Sequence, residues 1–320
     1  MGIDVVRLRV FREVATRGSF TAAARALSFS QPAVSHHINR LEGELGVTLV
    51  ERSARGLTLT PPGETLLEHA EQLLLGIAEA ERHVAEVATR DGGVVRMVAF
   101  PSAAATIVPR AVASLRRELP DSTLELAEAD PPVALPGLKR GEWDLALAYD
   151  YPSVGERQDP AFAYETLFVD GMAVCLHRDD PRGAAPALNV SDFAADAWVA
   201  PYDCVCRTAF ELACRHVGFS PHVVSESNDY MAIQGLVAAG VGVAVVPRLV
   251  QAIALRPEVV LRPLADSDIT RVVAIVSRAG GYSSQATRQL RASLHATVAE
   301  IDDPGLPLER SDARYATIAG

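Results

Sequence analysis

Residues Ser19 to Thr60, SFTAAARALSFSQPAVSHHINRLEGELGVTLVERSARGLTLT, decide how this chain is read. They read as a short helix, a tight turn, a longer helix and a two-stranded wing, following an earlier helix whose stripe is Val6, Val10, Phe11 and Val14. Gly18 ends that first helix, and Ser19 and Thr21 offer side-chain oxygens for a new start. Ala22, Ala23, Ala24 and Ala26 give the second helix almost no bulk, so a neighbour can approach closely. Ser30 can cap the third helix, which starts at about Gln31 with Pro32 where a missing N–H costs nothing.

The third helix divides by face. Ala33, Val34, Ile38, Leu41 and Leu45 point inward, leaving Gln31, Ser35, His36, Asn39 and Arg40 outward. Amide groups pair with adenine edges, guanidinium groups with guanine edges or phosphate, and hydroxyls with either, so this face suits base reading in a major groove. After Gly46, two short extended runs carry Arg52 and Arg55 near Gly56, a basic tip able to reach phosphates or a minor groove. Other pairings compete with these roles: Arg40 stands four residues before Glu44, and Arg52 lies near Glu51 and Glu42. His36 and His37 are adjacent and fall on different faces, so one of them at most faces DNA.

This segment resembles the N-terminal domain of the LysR-type transcriptional regulators. The matching residues are Phe11, Val14, GSFTAAARAL at 18–27, SQPAVSHHINRLE at 30–42, LG at 45–46, LVER at 49–52 and LTLTPPGETLL at 57–67. The resemblance implies that Gln31, Pro32, Ser35 and His36 meet bases or adjoining phosphates, with Ser30 at the start of the same helix. It places Arg40, Arg52 and Arg55 on the DNA backbone. The chain departs from the family where His36 or His37 replaces Arg or another longer side chain.

The overall charge of −10 would argue against nucleic acid if it were uniform. It is segregated: residues 1–60 carry eight Arg against five acidic residues, and the rest carries 22 basic and 35 acidic ones. Positive charge is thus concentrated where phosphate would be met. The chain has no apolar run long enough to cross a bilayer, and MGIDVVRLRVF lacks the layout of a secretory signal, so a cytoplasmic location is expected.

Pro61 to Arg90 reads as one helix, bounded by Pro61-Pro62 and Asp91-Gly92-Gly93. Leu66, Ala70, Leu73, Ile77, Ala80, Val84 and Val87 follow the alternating spacing of a coiled-coil seam. A lone helix of this kind is marginal in water, so a homodimer is expected unless the stripe packs on its own domain; at 1.5 Å per residue it spans roughly 42 Å. In the LysR family this position holds the dimerising linker helix, and a dimer of dimers is the larger assembly expected.

From Val94 strands and helices alternate in the rhythm of a parallel sheet: 94–100, 123–129 and 144–149, then 171–177, 198–201, 222–227, 241–247 and 271–277 as strands. The predicted architecture is an α+β multi-domain chain: a winged helix-turn-helix domain at 1–60, a linker helix at 61–90 and a two-lobed α/β effector domain at 91–300. Lobe I covers about 94–168 and 275–300, lobe II about 169–274, and 301–320 forms a mobile tail. GEWDLAL, VGFSP and LVAAGVGVAVVP resemble the periplasmic-binding-protein-like effector domain of the same family.

A small-molecule effector is expected between the lobes, at the carboxyl ends of the strands. Ser102 and Thr106 open a helix after the first strand, and Tyr149, Tyr202, Asp203 and Cys204 follow later strands. Each has an ordinary alternative, a cap for Ser102 and a rim aromatic for Tyr149, and Arg207 is the one basic candidate near the expected pocket. Cys175, Cys204, Cys206 and Cys214 lack a complete zinc spacing, and disulfides are not expected in a reducing compartment. Peroxide-sensing members of the family place two cysteines in this region, but only Cys214 falls in register and Val205 stands at the other position. A thiol-based sensor using Cys204, Cys206 and Cys214 is therefore the alternative.

No enzyme is expected: Gly240-Val241-Gly242 is an incomplete dinucleotide fingerprint, and nothing joins Cys204 to His216 as nucleophile and base. No cofactor or metal is expected either. The expected partners are double-stranded promoter DNA, the effector, a second copy of the chain and RNA polymerase, with no membrane.

Overall fold

The computed structural model describes residues 2–53, 56–89, 93–155, 159–265, 269–281 and 283–301. The chain divides into two compact units, residues 1–90 and 91–320. Arg55, the Arg52 and Val87 side chains and the tail beyond Ile301 lie outside the described residues.

In the first unit, α1 (Val5–Arg17) starts at Asp4, whose carboxylate accepts from the Arg7 N–H, and ends at Gly18 with φ of 60°. Ser19 caps α2 (Phe20–Ala26) by accepting from the Ala22 N–H, and Ser30 caps α3 (Gln31–Leu45) by accepting from the Ala33 N–H. Between α2 and α3, Ser28 turns the chain through the left-handed region, with φ of 56°. The wing is the antiparallel pair β1 (Val50–Ser53) and β2 (Gly56–Leu59). Its lead-in is held by Glu42, which accepts from the Leu49 and Val50 N–H groups at 2.7 and 3.2 Å.

The core of this unit gathers Phe11, Val14, Ala23, Ala24, Val34, Ile38, Leu41 and Leu49. In α1 the buried stripe is Leu8, Val10, Phe11 and Val14; Val6, expected inside, is exposed.

The long helix α4 (Pro61–Thr89) begins at Thr60, whose hydroxyl accepts from the Gly63 N–H and donates to the Thr48 carbonyl. Gly63 has a steric reason: a Cβ there would fall 2.1 Å from the Leu49 carbonyl oxygen. Ala70 and Leu74 are buried in the core of their own unit, with Leu66 and Leu67 packed against it. The first two positions of the expected seam, Leu66 and Ala70, are therefore spent inside the chain. Heptad spacing specifies a buried stripe, not what buries it.

In the second unit, the first sheet has the order β4-β3-β5-β12-β6: β3 (Val94–Ala99), β4 (Thr123–Glu128), β5 (Leu145–Asp150), β6 (Phe162–Asp170) and β12 (Arg271–Arg278). The second has the order β11-β7-β10-β8-β9: β7 (Met172–His177), β8 (Ala197–Ala200), β9 (His222–Glu226), β10 (Val243–Pro247) and β11 (Val259–Pro263). Helices α5 (Pro101–Ala105), α6 (Ile107–Glu118), α7 (Pro131–Lys139) and α10 (Gln285–Glu300) go with the first sheet, α8 (Val205–His216) and α9 (Tyr230–Ala238) with the second.

Neither sheet is wholly parallel. β12 runs antiparallel to both β5 and β6, and β7 antiparallel to both β10 and β11. β6 and β11 were not anticipated from the sequence, and β12 joins the first sheet from Arg271, four residues before the expected lobe boundary. The chain crosses between the sheets at Asp170–Met172 and again between Pro263 and Arg271.

Candidate nucleic-acid interface and effector cleft

On α3 the outward residues expected to read bases divide by exposure. Gln31, Pro32, His36, Asn39 and Arg40 are exposed, while Ser35 and His37 are partly covered. The Ser30 hydroxyl is used by the cap, 3.3 Å from the Ala33 nitrogen. His37 stacks on Phe29 with ring centroids 5.7 Å apart, leaving His36 as the outward imidazole. Arg40 stands 3.8 Å from Glu44, but that carboxylate has a closer partner in Arg7. An exposed contact of that length contributes little and leaves Arg40 available to phosphate.

The cleft of the second unit follows from its strand directions. Parallel strands bring Phe100 and Pro101 (after β3), Asp130 (after β4), Tyr149 and Tyr151 (around the end of β5) and Cys204 and Cys206 (after β8) to one edge. The antiparallel strands β12 and β7 start at that same edge, which adds Arg271 and Met172. The cleft is open at its mouth, and the space in and around it is about 690 Å³ with open solvent included. Its walls are mainly apolar and aromatic, with Val199, Phe210 and Ile233 facing the groups above.

Arg271 is the organising charge. It is 1 % exposed, and its Nε and Nη2 donate to Asp170 Oδ2 at 2.9 and 2.7 Å. Nη2 also donates to Ser102 Oγ at 2.9 Å, and the guanidinium lies 4.8 Å from the Phe100 ring centre and 5.2 Å from that of Tyr149. Asp170 accepts in addition from the Leu249 N–H. Buried charge at this depth is tolerable only when paired and hydrogen-bonded, as here.

Tyr149 donates to Asp130 at 3.0 Å and accepts from the Cys206 thiol at 3.4 Å. Burial pushes the Tyr149 and Tyr151 hydroxyls well above the usual phenol range and Tyr230 up to about 12. All three are therefore neutral donors at physiological pH.

The expected effector residues are only partly brought together. Tyr149 and Cys204 line the cleft. Ser102 and Thr106 are buried beside it: the Ser102 hydroxyl holds Arg271, and the Thr106 hydroxyl donates to the Ser102 carbonyl. Tyr202 and Asp203 are exposed outside the lining, with the Tyr202 N–H tied to Asn228. Arg207, the expected cation, is engaged by Glu211, Glu226 and the Pro201 carbonyl. The residues missed are Arg271, Tyr151 and Tyr230, and Cys206, named only for the thiol-sensor alternative, also lines the cleft. A signal for the first was present, an arginine opening the apolar run RVVAIVS.

Residues 5–64 match the family model described as "Bacterial regulatory helix-turn-helix protein, lysR family", and residues 88–299 match "LysR substrate binding domain". The chain belongs to the LysR family of transcriptional regulators. The regulator TfdS of Cupriavidus pinatubonensis is 32% identical over 269 residues, covering 82% of this chain and 88% of that one. AlsR of Bacillus subtilis is 28% identical over 253 residues, covering 77% and 80%. Among solved structures, an OxyR C206 mutant of Corynebacterium glutamicum is 25% identical with a TM-score of 0.59, covering 94% of this chain and 93% of that chain.

The LysR-type chain is thus a DNA-binding transcriptional regulator with an effector-binding domain, and its curated relatives are regulators. Among the described residues no helix is long and apolar enough to cross a membrane.

Proposed function

We propose that this LysR-type regulator reads promoter DNA as a homodimer or dimer of dimers in the cytoplasm, engages RNA polymerase there, and is switched by a largely apolar small molecule bearing an oxygen acceptor. The domain limits fit this division of labour: a DNA-reading domain at 1–60, a linker helix at 61–90, and lobes that meet near Asp170 and Arg271. The DNA-facing set is Gln31, Pro32, Ser35, His36 and Arg40, with Arg52 and Arg55 on the backbone and Ser30 fixing the helix start. The pairing stripe is Leu73, Ile77, Ala80, Val84 and Val87; the exposed Leu73 and Val84 support it. No turnover is part of this reading.

The observation that carries the effector assignment is the buried Arg271 at the wall of an apolar cleft. It ends one chain crossing between the lobes and is bonded to Asp170, which lies at the other. A ligand oxygen that engages this guanidinium acts on both crossings at once. Lobe closure is then coupled to ligand, and through the paired α4 helices to the spacing of the recognition helices and the bend of the DNA.

A thermal-shift panel of small aromatic carboxylates and carbonyl compounds tests the assignment, with Ser227→Tyr placed to obstruct the cleft. A compound that raises the melting temperature should lose that effect, and its effect on promoter binding, in the Ser227→Tyr protein. Equal binding by both proteins would place the effector elsewhere.

A further inference from the structure

The cleft wall carries a nucleophile that the switching mechanism leaves unused. Cys204 is the cap residue of α8 and Cys206 its second residue, and both line the cleft. Both are partly accessible, whereas Cys175 and Cys214 are buried in the sheet and helix cores. The first turn of a helix presents unpaired N–H groups and a partial positive charge, which favour a thiolate. The hydrogen bond with the Cys204 thiol holds Cys206 down to about 6 against the opposing effect of burial, helped by the Tyr149 and Tyr151 hydroxyls and the Arg271 charge. The same contact raises Cys204, so Cys206 is the sulfur of the pair that ionises more readily.

Two further groups in this cleft await an oxygen. Tyr151 is fully buried, and its hydroxyl, which faces the Cys206 sulfur, has no oxygen or nitrogen partner among the described residues. Arg271 spends Nε and Nη2 on Asp170 and Ser102, while Nη1 donates to no acceptor among the described residues. A readily ionised thiol, a phenol and a guanidinium lining one aromatic-walled cleft are the groups that conjugate addition requires.

On the reading of this cleft as the effector site, we infer that its effector is a flat, largely apolar α,β-unsaturated carbonyl compound that becomes covalently attached to Cys206 Sγ. The sulfur lone pair forms the C–S bond to the β-carbon as the C=C π pair moves toward the carbonyl oxygen. The resulting enolate oxygen is held by Arg271 Nη1 and the Tyr151 hydroxyl. The proton lost from Cys206 to solvent is balanced by one taken up at the α-carbon, so no oxidant is consumed. The adduct fills the cleft and occupies the free guanidinium nitrogen, which is the contact through which closure is signalled.

The full-length protein is treated with benzylideneacetone, and in parallel with its saturated counterpart benzylacetone. Peptide mass spectrometry locates adducts, and fluorescence anisotropy follows binding to upstream promoter DNA. The expected result is a single adduct on Cys206, formed about tenfold faster than on glutathione at neutral pH and accompanied by altered promoter affinity. It should be absent in Cys206→Ser and retained in Cys214→Ser.

Adducts spread over the cysteines, a rate equal to that of glutathione, a Cys204–Cys206 disulfide in place of an adduct, or an adduct that leaves promoter affinity unchanged would each overturn the inference. If benzylacetone stabilises the protein in a manner sensitive to Ser227→Tyr while benzylideneacetone forms no adduct, the covalent step falls and the effector cleft stands. If neither compound is affected by Ser227→Tyr and no adduct forms, both fall.

Discussion

Asp170 and Arg271 are the residues on which the second unit depends most sharply. Both are almost fully buried, and the carboxylate receives two guanidinium bonds and one backbone N–H. Removing one member leaves the other buried without its counter-charge, at a cost of about 3–5 kcal/mol. Asp170→Ala is expected to lower the urea midpoint of the effector domain by that equivalent, whereas Thr106→Val, which removes a single hydroxyl bond, should lose about 1 kcal/mol.

Cys206 makes a second prediction at this scale. The groups facing it are Cys204, Tyr149, Tyr151, Tyr230 and Arg271, with Asp130 behind Tyr149. With its pKa at about 6, iodoacetamide should alkylate it at a rate that is level above neutral pH and falls as pH drops through that value. An ordinary thiol would still be gaining rate between pH 7 and about 8.5. A profile rising to that higher range would contradict the assignment of Cys206 as the ionised sulfur.

At the scale of elements, α3 and α4 show what periodicity does and does not convey. The α3 cap, its proline and its inward face were legible because capping and amphipathic spacing are local properties. The α4 stripe was equally visible, but Leu66 and Ala70 turn out to face their own core. An apolar stripe records burial and not the identity of the covering surface.

The remainder of that stripe has a direct test: Leu73 is 52% and Val84 71% exposed in the single chain. Leu73→Glu with Val84→Glu should yield monomers by sedimentation velocity with unit 1 still folded by circular dichroism. A double variant that remains dimeric would move the interface off α4. The antiparallel strands were harder to foresee. β6 mixes Tyr164, Glu165 and Thr166 into its first half, which is only partly buried, and direction within a sheet is a long-range property. Arg271 was missed for the same reason, since its partner lies 101 residues away.

For the whole molecule, the separation of charge ties structure to function. A net charge of −10 conceals a basic front of eight Arg in the first 60 residues. On the proposed reading the acidic remainder repels DNA from the wrong surface, and Gln31, His36, Asn39 and Arg40, exposed on α3, are the residues offered to the groove. Affinity for phosphate should therefore fall steeply with salt, while discrimination between sequences persists. The winged helix-turn-helix and the two-lobed α/β domain were legible from their motifs; the chemistry of the cleft was not, because its charge, its hydroxyls and its thiol converge only after two sheets are wound together.

The most direct measurement is fluorescence anisotropy of the full-length protein on labelled DNA from its own upstream region, over a salt series, against a shuffled duplex of the same composition. The expected complex holds two copies of the chain or a multiple of two and is tighter on the native duplex by at least about a thousandfold. That preference should be lost in Ser35→Arg, and affinity for both duplexes should weaken as salt rises. Equal affinity for native and shuffled DNA, or binding by a single chain, would contradict it.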